Sequence, residues 1–430
     1  MGLSDDKNSE VIIIMIRTNK TAVLIAVSFY LTLPVFNIIG VRYFQDAWIF
    51  NKLSILVVFL VFLLNLNVIL KVNLKPFVLV SFAIIFLLVF SYLMQTLYGY
   101  ELNVKTNNIH ILLLTLLLFY FSYKSTYFDL STLIFKPIFV VSVPLVLCYA
   151  FMPETLRGLS AYSINLIGNN SIFVDKEFRF SSIFSEPSKL AIFSGISLFY
   201  YMDRREKFML IVSFGFLVLS MSKFAIVFVP VCIILSFLLR KVSFQGRIIC
   251  MSVFVTSYMI FLTQHMDWFS YLYTIINYES LNTYETRFGF PIIALHNILN
   301  FPLGIGVFDG YRYIMLDGEF TISQYCNELI EIGGNCYEMN SYSYDSLAEF
   351  FPKDILSTLI FYFGFMGIVL LYIYGCYVAT KISKPYFYYT PLYIFLCLLF
   401  VTSYDYMIIV LALMVLGDNK YRDVSGEKVC

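Results

Sequence analysis

Charge is scarce in this chain. Asp, Glu, Lys and Arg make up 13% of its 430 residues, and 29 basic side chains nearly balance 28 acidic ones. No basic stripe is left over for a phosphate backbone, so nucleic acid is excluded as a partner. Histidine is rarer still: there are three, His110, His265 and His296, and none has metal-ligand spacing or belongs to an H-E-x-x-H motif. No Gly-x-x-x-x-Gly-Lys-Ser/Thr loop occurs, so ATP hydrolysis has no phosphate cradle. No C-x-x-C occurs either, which removes zinc ribbons and thioredoxin-like redox motifs. Gly304-Ile-Gly306-Val-Phe-Asp-Gly310 partly matches a dinucleotide loop, but it follows Asn-Phe-Pro rather than a buried strand, and that reading is rejected.

Apolar residues are what the chain has instead. They make up 60% of it, with a mean hydropathy of +0.80. That composition describes an all-α polytopic membrane protein, read here as a single integral membrane domain over 1–430. Val11 to Ile16 is too short for a signal sequence, and the run from Thr21 reads as the first span. A spanning helix needs about 20 mostly apolar residues. The runs that qualify, several of them short, fall near 21–41, 53–70, 76–98, 109–123, 132–152, 188–202, 208–222, 224–239, 248–264, 354–378, 386–400 and 404–416. The pattern predicts about twelve transmembrane helices.

Lysines and arginines orient them. With a cytoplasmic N-terminus, most of the 29 basic residues fall on inside segments, among them Lys71 and Lys75 in a turn between the second and third spans. One step decides the parity of everything downstream. The apolar run from Phe208 to Leu239 is too long for one span, and the preferred reading breaks it at Ser220-Met-Ser-Lys223, facing outward.

Two long hydrophilic segments then lie outside, 153–187 and 265–353. The second is far longer than an ordinary connection, which points to function. It carries Cys326 and Cys336, the two cysteines that share an outer segment; an oxidising compartment would allow them either to pair or to remain free. The cysteines within spans read as small apolar residues.

Within the first outer segment, Arg179-Phe-Ser-Ser-Ile-Phe-Ser-Glu-Pro-Ser-Lys-Leu-Ala191 runs from charge straight into an apolar helix. Pro187 suits the first helical position, where its missing N–H has no partner to lose, and Ser185 or Glu186 is placed to cap. A helix start carries partial positive charge, and Arg179 and Lys189 add to it, giving an anion cradle at the membrane edge. Lys223, Arg287, Arg312 and Lys353 are further cations on the outer side. Each of these, taken singly, is also consistent with a headgroup contact.

Four features resemble the O-antigen polymerase (Wzy) family. They are Arg179-Phe-x-x-x-Phe-x-Glu186-Pro-Ser-x-x-Ala191, the Ser220-x-Ser-Lys223 break, Arg287 followed by Pro302-Leu-Gly-Ile-Gly306, and Ile355-Leu-x-x-Leu-x-x-x-Phe-Gly364-Phe-Met-Gly367. The resemblance runs from about residue 170 to 380. It implies a GT-C-like glycosyltransferase of the bacterial inner membrane, working on the periplasmic face with a large periplasmic loop between late helices. Its substrates would be undecaprenyl-diphosphate-linked oligosaccharides, and a chain-length regulator and a flippase would be its partners beside membrane lipid. No metal or other cofactor is implied.

The residues suit that chemistry. A diphosphate leaving an anomeric carbon gathers negative charge, which arginines bind in bidentate fashion. Arg179, Lys223 and Arg287 are assigned to it, with Lys189 and Arg312 as further candidates. Glu186 is the first candidate for general base and Asp354 the alternative. Tyr342 and Tyr344 are placed to stack on sugars or to line a tyrosine-rich interface. The related O-antigen ligases carry a His-Asn pair where this chain has Lys353-Asp354, which favours polymerase over ligase. A lipid-linked oligosaccharide flippase is the competing class, but a carrier would concentrate its polar residues at mid-membrane.

Overall fold

Proline and glycine stop some of the helices and are taken into others. The computed structural model describes residues 20–45, 49–99, 117–122, 128–167, 173–174, 179–184, 186–264, 282–307, 310–331, 336–340, 354–382, 389–400 and 410–415. Among them the structure is helical apart from one two-stranded ribbon. Among the described residues, four helical segments are long and apolar enough to cross a membrane: Ile49–Lys71, Leu74–Tyr98, Ser131–Phe151 and Phe244–Thr263. A bent pair makes up to five. These long apolar helices mark a membrane-embedded protein.

The first expected span is that bent pair. Helix α1 (Lys20–Leu31) and α2 (Pro34–Phe44) meet at 67°. Leu33, held extended at φ −69°, ψ 137° by the proline after it, cannot continue α1. The turn expected at 71–75 is absent. Helix α3 (Ile49–Tyr98) continues through Lys71-Val-Asn-Leu-Lys75 and takes Pro76 into its interior. Both apolar runs are present as foreseen, but that stretch has no glycine, and its proline removes just one hydrogen bond.

The break at Ser220 is present. Helix α7 (Lys207–Leu219) ends there, Met221 turns through φ 45°, and Lys223 opens the next helix, Lys223–Lys241. The 354–378 span is broken in a way the sequence did not lead us to expect. A helix over Ile355–Phe363 stops at Gly364, and a second runs Phe365–Ile382. Helix α7 is too short to cross alone at about 1.5 Å per residue. The expected spans at 109–123 and 404–416 fall largely outside the described residues.

The chain divides into two compact units. One comprises Met1–Ser81, Leu113–Val231 and Tyr406–Cys430; the other, Phe82–Leu112 and Cys232–Asp405. The first is built on Pro187–Arg204, where every residue from Leu190 to Tyr201 is buried. That helix was expected as a span, but lipid cannot reach it. Phe193 explains why, since its ring lies 5.2–5.7 Å from those of Phe135, Phe139 and Phe184. Such packing, rather than expulsion from water, is what associates helices in lipid.

In the second unit, part of the 265–353 segment forms a folded core. Helices Asn282–His296, Gly310–Asp317 and Ile322–Glu331 pack there, and Ile322, Tyr325, Cys326 and Leu329 form one buried stripe. Cys326 and Cys336 are disulfide-bonded, with Cα atoms 5.4 Å apart. Gly289 lies so close to Met339 and Tyr325 that a Cβ there would come within 2.4 Å of the Met339 sulfur.

Candidate functional site

The described residues of 153–187 include regular elements. Helix α4 (Lys136–Phe151) is followed, after Met152 alone, by α5 (Pro153–Ile167), and then by strands β1 (Phe173–Val174) and β2 (Phe180–Ser182). The strands pair antiparallel, Phe173 opposite Ser182 and Val174 opposite Phe180. Arg179 immediately precedes β2, which packs on α6 (Pro187–Arg204). The Arg179 backbone is therefore tied to the fold at the strand that adjoins the helix.

The expected helix start is observed. Pro187 occupies the first turn and Glu186 the N-cap position, extended at φ −151°, ψ 148°. Its side chain, however, does not cap. One carboxylate oxygen accepts a hydrogen bond from the Ser188 hydroxyl at 3.0 Å, and the residue is exposed. The Glu186 carbonyl takes up the Lys189 and Leu190 N–H groups. Lys189 is half-buried in the first turn. Arg179, Glu186 and Lys189 thus gather around one hairpin and one helix start, with the carboxylate facing outward.

Beneath them lies a hydroxyl pair that sequence reading missed. The Ser182 hydroxyl donates to Ser142 Oγ at 2.6 Å, and Ser142 donates to the Ile138 carbonyl at 2.8 Å. Ser182 holds φ 54°. The available signal was a serine within the otherwise apolar run before Pro144. Helix α8 (Lys223–Lys241) begins at Lys223, in the same unit.

Arg287, Arg312 and Asp354 belong to the other unit. Arg287 lies in the first half of α10 (Asn282–His296). Arg312, in α11 (Gly310–Asp317), is 1% exposed rather than displayed at the surface, its guanidinium carbon 5.9 Å from the Tyr311 ring. Asp354 is buried and caps α13 (Ile355–Phe363). One oxygen accepts from the Ser357 N–H at 2.7 Å and the other from the Ser357 hydroxyl at 2.5 Å. A carboxylate so engaged serves first as a helix cap. The side chains of Lys223 and Arg287, and residues Ser185, Tyr342, Tyr344 and Lys353, lie outside what the structure describes.

The two glycine motifs of this unit meet. The Ile305 N–H donates to the Phe361 carbonyl at 2.8 Å, Gly306 to Tyr362 at 3.0 Å, and Phe365 to Pro302 at 2.9 Å. Ser91 in α3 closes the contact, its hydroxyl oxygen accepting the Val307 N–H at 2.8 Å. Between α10 and α12 (Ile322–Glu331), the buried Asn297 side chain donates to the Phe320 carbonyl at 2.7 Å and accepts its N–H at 3.2 Å. Neither Ser91 nor Asn297 was singled out from sequence, since a small polar residue in an apolar run has no pattern of its own. Among the described residues, no three His, Cys, Asp or Glu side chains group as a metal site would need. Compared with known protein families, curated proteins and solved structures, the chain matches none.

Proposed function

We propose that this protein is a surface-polysaccharide polymerase of the O-antigen type. It transfers a growing glycan from undecaprenyl diphosphate to an incoming lipid-linked repeat, on the periplasmic face of a bacterial inner membrane. About twelve GT-C-like passes carry it, some assembled from two short helices. The observation that carries the reading is the start of α6: Lys189 stands in its first turn, Arg179 immediately precedes the strand packed on it, and the turns that follow are entirely buried. Fixed cations of this kind stabilise charge that develops on a departing diphosphate, because they need no reorganisation as the bond breaks.

The transfer balances without a redox partner. An acceptor hydroxyl oxygen attacks the anomeric carbon of the donor chain, the bond from that carbon to the diphosphate oxygen breaks, and undecaprenyl diphosphate leaves with the electron pair. Arg179, Lys189 and Lys223 take up the charge, and Arg287 is a further candidate for that role. The hydroxyl proton passes to a carboxylate. Glu186 is favoured for that role, since it is exposed and bonded to a single hydroxyl, whereas both Asp354 oxygens are engaged.

The test is genetic and biochemical. Loss of the gene should leave surface glycans with single capped repeats. Uncapped lipid A-core with accumulated polymer would indicate a ligase instead. Arg179→Ala, Glu186→Ala and Arg287→Ala should each abolish extension at normal protein levels. Wild-type extension by all three would refute the assignment.

A further inference from the structure

Helix α5 presents three different sides. At 100° per residue, Leu156, Ser160 and Ser163 fall together, and all three are buried. Arg157, Glu154 and Ala161 fall on a second, exposed sector, where Arg157 pairs with Glu154 at 2.8 Å. Thr155, Leu159 and Tyr162 form the third, also exposed, with Leu159 at 44% and Tyr162 at 42%. A helix with one side against protein, one polar and one apolar but uncovered has the pattern of an element lying in a membrane interface.

Two independent features favour lipid as what covers the third side. First, α4 belongs to the Ser131–Phe151 candidate span and exposes Val143, Leu147 and Phe151, so its apolar surface leads into α5 across Met152 alone. Second, Arg42 at the end of α2 reaches the Tyr162 hydroxyl. Its guanidinium carbon lies 5.7 Å from the Tyr162 ring and 6.0 Å from that of Tyr43, beside the exposed Phe44. Arginine and tyrosine side by side at the ends of apolar helices form the belt found at headgroup level.

We infer that α5 and the end of α2 form an interfacial platform bound by the bilayer surface, with Leu159 and Tyr162 at the acyl boundary. The platform holds whatever reaction the protein performs. It also fixes a depth. The Ser160 hydroxyl donates to the Val174 carbonyl at 2.5 Å, β1 pairs with β2, and Arg179 adjoins β2. The depth of α5 therefore sets the height at which the Arg179 backbone stands above the lipid.

The chain has two tryptophans, Trp48 and Trp268. Replacing both by phenylalanine gives a silent background in which Leu159→Trp, Thr155→Trp and Arg157→Trp are each introduced. The full-length variants are reconstituted in nanodiscs of phosphatidylethanolamine and phosphatidylglycerol, with or without lipids brominated on the acyl chain near the glycerol. Bromolipid should quench the indole emission of the Leu159→Trp and Thr155→Trp variants by about twofold or more over that of Arg157→Trp, and acrylamide should show the reverse order. Equal quenching in all three variants, or preferential acrylamide quenching of Leu159→Trp and Thr155→Trp, overturns the inference and leaves water or another segment against that side. Two reporters on the apolar sector keep the test decisive if one variant fails to fold.

Discussion

Gly304 and Gly364 pack backbone against backbone. A Cβ built on Gly364 would lie 2.1 Å from the Pro302 carbonyl oxygen and 2.6 Å from the Gly304 nitrogen. Both residues have positive φ, 74° and 55°. Two glycine motifs some sixty residues apart are thus the two halves of one crossing, which neither could make with a side chain.

Gly364→Ala should therefore destabilise the second unit by more than the roughly 1–3 kcal/mol cost of holding alanine at φ 55°, ψ −129°, since the clash adds to it. Gly375→Ala is the control, because nothing lies within 4 Å of its added Cβ. Melting of both variants in detergent checks this; equal melting temperatures would contradict the crossing.

Asp354 gives a cleaner division of roles. As a cap, Asp354→Ala should cost about 0.5–2 kcal/mol, while Asp354→Asn, still able to accept from Ser357, should retain both fold and chain extension. A folded Asp354→Asn protein with no extension would instead make Asp354 the base.

Extension should survive EDTA. The clamp proposed here is built from guanidinium and ammonium groups, which neutralise a diphosphate without a divalent ion. A strict metal requirement in purified protein would sink that mechanism.

The bond from Cys326 to Cys336 closes a short loop, and its removal in Cys326→Ser should cost about 2–3 kcal/mol in the packing around α12. Limited proteolysis would register it as new cleavage near that helix. Unchanged protection would mean that the Gly289, Tyr325 and Met339 contacts hold the segment alone.

His296 supplies a pH dependence. Its ring is exposed on one side but stacks on Phe320 with centroids 4.3 Å apart, and this partial burial lowers its pKa below the ordinary 6.5. The folded form then binds fewer protons than the unfolded one. Stability is fully present above pH 6.5 and declines as the pH falls toward the lowered value. Melting of His296→Phe should lack that acid-side decline; an unchanged slope would assign it to another group.

Punctuating residues were legible where their effect is local. Pro187 announced the start of α6, and Ser220-Met-Ser-Lys223 announced a break, because both act on their own backbone. Gly364 was unreadable as a break until Pro302 was known to lie against it. Lys71 and Lys75 suggested a turn by charge, yet without a glycine the helix continued. Arg312 read as an outer cation, since nothing in Gly310–Asp317 reveals which side the fold will enclose. The hairpin after α5 was missed because strands of two and three residues are too short for an alternating pattern.

A helix enclosed from Leu190 to Tyr201 has little freedom to tilt or slide. Its charged tip is therefore anchored by side chains three turns away, and damage there is felt at the tip. Loss-of-activity substitutions should scatter along the length of that rod, many of them far from any sugar or phosphate.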